Sequence, residues 1–363
     1  MNTDRKQRIR KNLINYTIFL LIMGLTFYTV LHGQDWNQIW EALKGLSLPC
    51  LLLILASALF FVCAEGSMIW YLLRMINPDS SGLGKCISYS FIGFFYSGIT
   101  PSSTGGQPVQ LYYMKKDGNA LSDSSVVLMT VALLYKFVLV IIGCAMLVFW
   151  YDPLRSYLRK YFGLYILGLV LHVVLVAVLL AVMLAPEAMK RLIFQIEHFL
   201  TRIRILKPSA GRAEKIRQFI GGYQDAVCFL AKQKYRMLLV LGITFLQRCS
   251  LFFLTGLVYL GFSQQGTSLL TVMLLQASVS VAVDMLPLPG AQGITELMYC
   301  RVFSHVFSQA CLMPSLYVAR GSSFYFVLVV SLLVVLLNEA VRRRGETVKD
   351  RQCLRAAGRR YTL

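Results

Sequence analysis

Five ionisable side chains stand in or beside long apolar runs of this 363-residue sequence: Glu65, Lys136, Arg248, Asp284 and Glu296. A charge at the centre of an apolar helix costs about 2.5–3.5 kcal/mol, so each needs a partner or a task. Glu65 and Arg248 lie furthest from any helix end to which they could snorkel. The pattern predicts groups lining a central polar cavity, where they pair with each other or face a charged headgroup. For any single residue, a purely structural ion pair is the alternative.

A second kind of chemistry sits in TPSSTGGQP at 100–108. Ser102, Ser103 and Thr104 offer hydroxyls, and Gly105 and Gly106 let backbone amides come close to a ligand. A helix that starts after this turn aims its positive end inward, which suits an anion such as a phosphate. A plain helix break reads equally well from the same residues. PLPGAQG at 287–293, with Gly290 at its centre, is a second break of this kind. Tyr112 and Tyr113 follow the first break and could stack on, or hydrogen-bond to, a headgroup.

Other chemistry is excluded or unsupported. The sequence holds no Walker A, HExxH or GxSxG motif and no acidic pair of the glycosyltransferase type. Its nine cysteines include no CxxC and fall mostly in apolar runs, where they read as small hydrophobes. The four histidines are far apart, without ligand-like spacing. No metal or cofactor is expected.

The elements that position these residues follow from composition. Apolar residues make up 57% of the chain and charged ones 15%, against about 25% charged in soluble domains. That is too little charge to cover a water-facing surface. The net charge of +19 lies almost wholly between apolar runs, where it carries topological information; nucleic-acid binding is not expected.

A spanning helix needs about 20 apolar residues. Runs at 14–31, 49–73, 120–149, 163–185, 236–261 and about 314–340 meet that length. The first follows a basic arm, is long for a signal peptide and has no small-residue cleavage site after it, so it reads as a retained helix. Two further stretches, 86–114 and 269–309, are broken in the middle by the Gly/Pro turns. The arms of the first are about 14 and 10 residues, too short at 1.5 Å per residue to cross a core of about 30 Å.

If both broken stretches are re-entrant hairpins, most Lys and Arg fall on one side. Only Lys44, Arg155, Arg159, Lys160, Arg301 and Arg320 fall on the other. If the first stretch crossed instead, the strongly basic loop 186–236 would be exported, against the positive-inside rule. The halves then read helix, helix, hairpin, helix in opposite orientations, which is an inverted repeat. Within the loop, 189–203 and 216–230 have amphipathic helical spacing. They suit an anionic leaflet or packing on the transmembrane body. The Trp-bearing stretch 36–46 suits the opposite interface.

The segment SYSFIGFFYSGITPSSTGGQPVQLYYMKKDG at 88–118, the helix bearing Lys136 and the later VDMLPLPGAQGITE at 283–296 resemble the membrane domain of the lysylphosphatidylglycerol synthetase/flippase family over about residues 10–340. The second motif departs slightly, with Ala291 and Gln292 where the family often places a second glycine. The resemblance implies translocation of an aminoacylated or other phospholipid between leaflets of a bacterial inner membrane. In the family a separate soluble domain transfers lysine from lysyl-tRNA to phosphatidylglycerol; no such domain is recognised before Leu363.

The expected protein is thus an all-α polytopic membrane protein with six spanning helices and two re-entrant hairpins in an inverted repeat. Residues 1–13 form a basic cytoplasmic arm, 14–340 the transmembrane domain and 341–363 a basic cytoplasmic tail. The expected partner is a membrane phospholipid, with a lipid-modifying synthase as a second. Alternatives are a phosphatidylglycerol lysyltransferase and a non-transporting accessory of such a synthase.

Overall fold

The computed structural model describes residues 40–41, 44–100, 104–185, 212–286 and 293–342, with single positions at 191, 195 and 197. Every regular element among them is helical. In chain order these are α1 (Leu48–Ile76), α2 (Leu83–Ile99), α3 (Gly106–Lys116), α4 (Leu121–Phe149), α5 (Tyr151–Leu158), α6 (Phe162–Leu184), α7 (Arg212–Lys232), α8 (Lys234–Gly261), α9 (Leu269–Val283), α10 (Ile294–Phe303) and α11 (Gln309–Arg320). A π-helical turn, Gly321–Phe326, carries α11 on to Arg342.

Five helical stretches are long and apolar enough to cross a membrane: α1, α4, α5 with α6, α8, and α11 with its extension. They coincide with five of the six expected runs. The sixth, 14–31, lies outside the described residues, as do the basic arm, the tail from 343 on and the stretch 198–211. The spans expose large apolar side chains on their outer faces, among them Leu52, Phe60, Leu167, Val174, Leu238, Leu246, Leu333 and Leu337. Hydrocarbon solvates such a surface without cost.

Local sequence starts and stops the helices. Pro49 opens α1, where its missing N–H is harmless. The Ser268 side chain accepts from the Thr271 amide at the start of α9. Arg159 takes a positive φ of 46° between α5 and α6, turning the chain from a short amphipathic helix, anchored by Leu154 and Leu158, into the span.

The arms α2 and α3 pack antiparallel along their length. Thr100 meets Gly105 at the tip, Gly93 faces Gln110, and Tyr89 donates to Asp117 at 2.6 Å. Ser81 meets Asn119 at the base. The same base receives the end of the last helix, where Arg342 Nη2 lies 2.9 Å from Asp117 Oδ1 and Tyr113 donates to Glu339. At the opposite end of the molecule, Tyr259 stacks edge-on with Phe307, and Gln264 accepts from the Ser308 amide. The free ends of α9 and α10 are gathered there.

At the centre, α1 and α8 run antiparallel in contact. Cys50 bonds to Leu257 O, Ser57 to Ser250 O, Gln247 to Phe61 O, and Thr244 to Met68 Sδ. The helix α7 carries the second of the two amphipathic stretches, 216–230; most of the first lies outside the described residues. This helix packs on α4 through Ile220, Tyr223, Val227 and Leu230, with Tyr223 donating to Met129 Sδ, and leaves Glu214, Arg217, Asp225 and Lys232 exposed.

Candidate functional site

Where α1, α4, α8 and the tips of the two helical pairs converge, they enclose a cavity of about 620 Å³. Glu65, Gln110, Lys136, Arg248, Asp284 and Arg320 line it, with Phe61, Leu128, Val131 and Leu251 as apolar neighbours.

Asp284 is the hub. It follows the last turn of α9, and its Oδ2 lies 2.7 Å from Lys136 Nζ, 3.4 Å from Arg248 Nη2 and 3.8 Å from His172 Nε2. Lys136 and Asp284 keep side-chain exposures of 17% and 28%, so the pair faces the cavity and is not sealed. Arg248 is nearly buried, and its guanidinium carbon lies 3.1 Å from the centre of the Tyr135 ring, a cation–π contact. Its Nε makes no hydrogen bond among the described residues.

Glu65 accepts from Gln110 Nε2 at 2.9 Å. Gln110 reaches it from α3 by crossing α2 at Gly93, where any Cβ would collide with the Gln110 side chain. Glu65 and Arg248 do not form an ion pair: each is turned to another partner. On the far wall, Glu296 in the first turn of α10 accepts from Arg320 Nε at 2.9 Å. Arg320 was expected on an outer face by charge sorting. It lies instead within a span-length helix, at the cavity, immediately before the π-helical turn. A π-turn interrupts the regular ladder and often marks a functional position.

The structure therefore brings Glu65, Lys136, Arg248 and Asp284 to one cavity, with Glu296 joined to it through Arg320. In the first Gly/Pro turn the contacts of the two glycines are internal. The Gly105 amide donates to Thr100 Oγ1 at 2.9 Å, and a Cβ at Gly106 would lie 2.6 Å from Gly93 O. Both glycines thus have a structural reason, the closure of the α2–α3 tip. Thr104 stands in that turn, and Ser102, Ser103 and Gly290 lie outside the described residues. Tyr112 is 59% exposed and does not line the cavity. Its neighbour Tyr113 is buried against Glu339 and the Arg342 guanidinium.

Four site residues escaped the sequence reading: Gln110, Gly93, His172 and Arg320. A neutral polar residue or a glycine in a helix has no periodicity to betray it. His172 was set aside for want of a nearby metal ligand, whereas its neighbour is a carboxylate far along the chain. Among the described residues no group of His, Cys, Asp and Glu could hold a metal ion.

A search of curated proteins finds no match to this chain. The geometry of a charged cavity inside an all-helical, multi-span body agrees with the comparison against family profiles: residues 12–331 match the lysylphosphatidylglycerol synthase transmembrane region, and the chain belongs to that family.

Proposed function

We propose that the protein is a phospholipid flippase, moving an aminoacylated or other phospholipid headgroup through the central cavity of a bacterial inner membrane. The observation that carries this reading is the cavity itself. Three cations, Lys136, Arg248 and Arg320, and two anions, Glu65 and Asp284, line it beside apolar walls, and Glu296 holds Arg320 from behind. A phospholipid has the matching duality, a charged headgroup joined to acyl chains. Lys136 and Arg248, which share the Asp284 carboxylate, are placed to receive a phosphate in its stead.

In this reading the chain has six spans, and the pairs α2–α3 and α9–α10 are re-entrant. The halves form an inverted repeat whose axis passes between α1 and α8. The antiparallel pairing of α1 with α8 supports that arrangement, as does the gathering of the α2–α3 base and the end of α11 at one pole. The positive-inside rule puts that pole, and both termini, in the cytoplasm. Alternating access would then rock one half against the other around the fixed ions.

The test is translocation of a fluorescent short-chain phosphatidylglycerol, with and without an aminoacyl group, in proteoliposomes of the purified protein. Wild type is expected to move lipid, and Glu65→Gln and Arg248→Ala are expected to insert yet lose translocation. Unchanged rates in both variants would remove the cavity from the mechanism.

A further inference from the structure

His172 is fully buried on α6, at the back of the cavity wall. Its Nδ1 lies 2.7 Å from the carbonyl oxygen of Gly168, one turn earlier. A carbonyl only accepts, so Nδ1 must carry a proton. In the neutral ring that leaves Nε2 as a bare lone pair, and Nε2 makes no hydrogen bond among the described residues. It points at Asp284 Oδ2, 3.8 Å away. Two acceptors face each other across that gap. A proton on Nε2 would turn the mismatch into a charge-assisted hydrogen bond after a closure of less than about 1 Å.

We propose that His172 is a proton-binding site coupled to the occupant of the cavity, so that one proton is taken up at Nε2 when a phosphate-bearing headgroup binds. This rests on the flippase reading and adds its coupling ion. The groups around the pair are Asp284 at the end of α9, Lys136 and Tyr135 on α4, Arg248 on α8 and Glu65 on α1. With His172 neutral, the lining cations Lys136, Arg248 and Arg320 are balanced by Glu65, Asp284 and the Glu296 that holds Arg320. A phosphodiester adds one negative charge, drawn to Lys136 and Arg248, and takes their charge away from Asp284. The carboxylate then needs a new partner, and an imidazolium at Nε2 supplies it and restores neutrality. Asp284 faces both the cavity and the ring, so it is also the proton's route inward. Headgroup and proton would enter together and leave together.

The experiment is calorimetric titration of the purified full-length protein near neutral pH, with dihexanoyl phosphatidylglycerol, in buffers of different ionisation enthalpy. Wild type should take up about one proton per bound lipid. His172→Asn, which keeps a donor for Gly168 O, should bind the lipid with no linked proton. Glycerophosphoglycerol, a phosphodiester that does not itself titrate near neutral pH, in a parallel arm shows whether the headgroup alone drives uptake or the acyl chains are needed; uptake with either ligand supports the coupling. A second readout needs no variant: the nitrogen spectrum of histidine-labelled protein should show a buried neutral Nδ1–H ring becoming doubly protonated as lipid is added. Binding without proton uptake, or uptake that persists in His172→Asn, overturns the coupling while leaving the flippase reading intact. Absence of any lipid binding overturns both.

Discussion

Gln110 Nε2 lies 2.9 Å from Glu65 Oε1, and the side chain that makes this bond crosses α2 at Gly93, where no Cβ stands in its way. The short arm α3, the long arm α2 and the span α1 are thereby tied through a residue that contributes nothing but absence. Gly93→Ala should displace Gln110 and strip Glu65 of that hydrogen bond, at a cost of about 1–3 kcal/mol for a buried polar group left unpaired. A lower thermal midpoint in detergent and slower lipid translocation would check it. The double variant Gly93→Ala/Gln110→Ala removes the collision but still leaves Glu65 without that partner, so it should recover only the part of the midpoint lost to the collision, and none of the translocation.

Glycines elsewhere in the spans divide sharply by what surrounds them. A Cβ at Gly66 would sit 2.5 Å from the Cα of Ile87, and one at Gly168 would sit 2.9 Å from the Cα of Ala282. Backbone cannot step aside as a side-chain tip can, so Gly66→Ala and Gly168→Ala should each pry two helices apart, costing about 1–3 kcal/mol. Gly242 has open space around its Cβ position, and Gly242→Ala should be neutral or gain about 0.5–1 kcal/mol from helix propensity. Thermal midpoints of the three variants, measured side by side, would separate packing from propensity.

How much of this was legible beforehand depended on the physics that wrote each feature. Span lengths are set by bilayer thickness, so α1, α4, α6, α8 and α11 stood out as apolar runs. Charges in hydrocarbon are costly, so Glu65, Lys136, Arg248, Asp284 and Glu296 were visible by their mere presence. Which charge met which was not visible, because pairing is a matter of distance in three dimensions. Asp284 took Lys136 and Arg248, and Gln110 took Glu65. Gly105 and Gly106 were conspicuous for the right reason, a sharp turn, but the Gly105 amide is already used by Thr100 Oγ1. Tyr112 and Tyr113 looked interchangeable in sequence, yet a helix turns about 100° per residue and sends one outward and the other to Glu339.

Removing Asp284 should be worse for stability than removing Lys136. Asp284→Asn leaves Lys136 and Arg248 close together with no carboxylate between them, and Arg248 is nearly buried. Lys136→Gln leaves Asp284 still facing Arg248. The loss for Asp284→Asn should fall below the about 3–5 kcal/mol of a sealed ion pair broken on one side, since the carboxylate keeps some contact with the cavity. Chemical or thermal unfolding in detergent would rank the two variants. The double variant Asp284→Asn/Lys136→Gln should be milder than the sum of the singles, because the two residues share one interaction.

The orientation of the whole body can be read from two exposed positions at opposite poles. Asp225 lies on the outer face of α7, a helix that packs against α4 near the base of the α2–α3 pair, while Arg155 lies on α5 at the other end of α4. If the α2–α3 pair is re-entrant and the basic loop faces the cytoplasm, a cysteine at 225 must be shielded from an impermeant thiol reagent added to intact cells. A cysteine at 155 must react. Both would be placed in a background without the nine native cysteines. The two positions lie at opposite poles, so their labelling must be opposite. External labelling at 225 would put the basic loop outside the cell and overturn the cytoplasmic assignment of that pole.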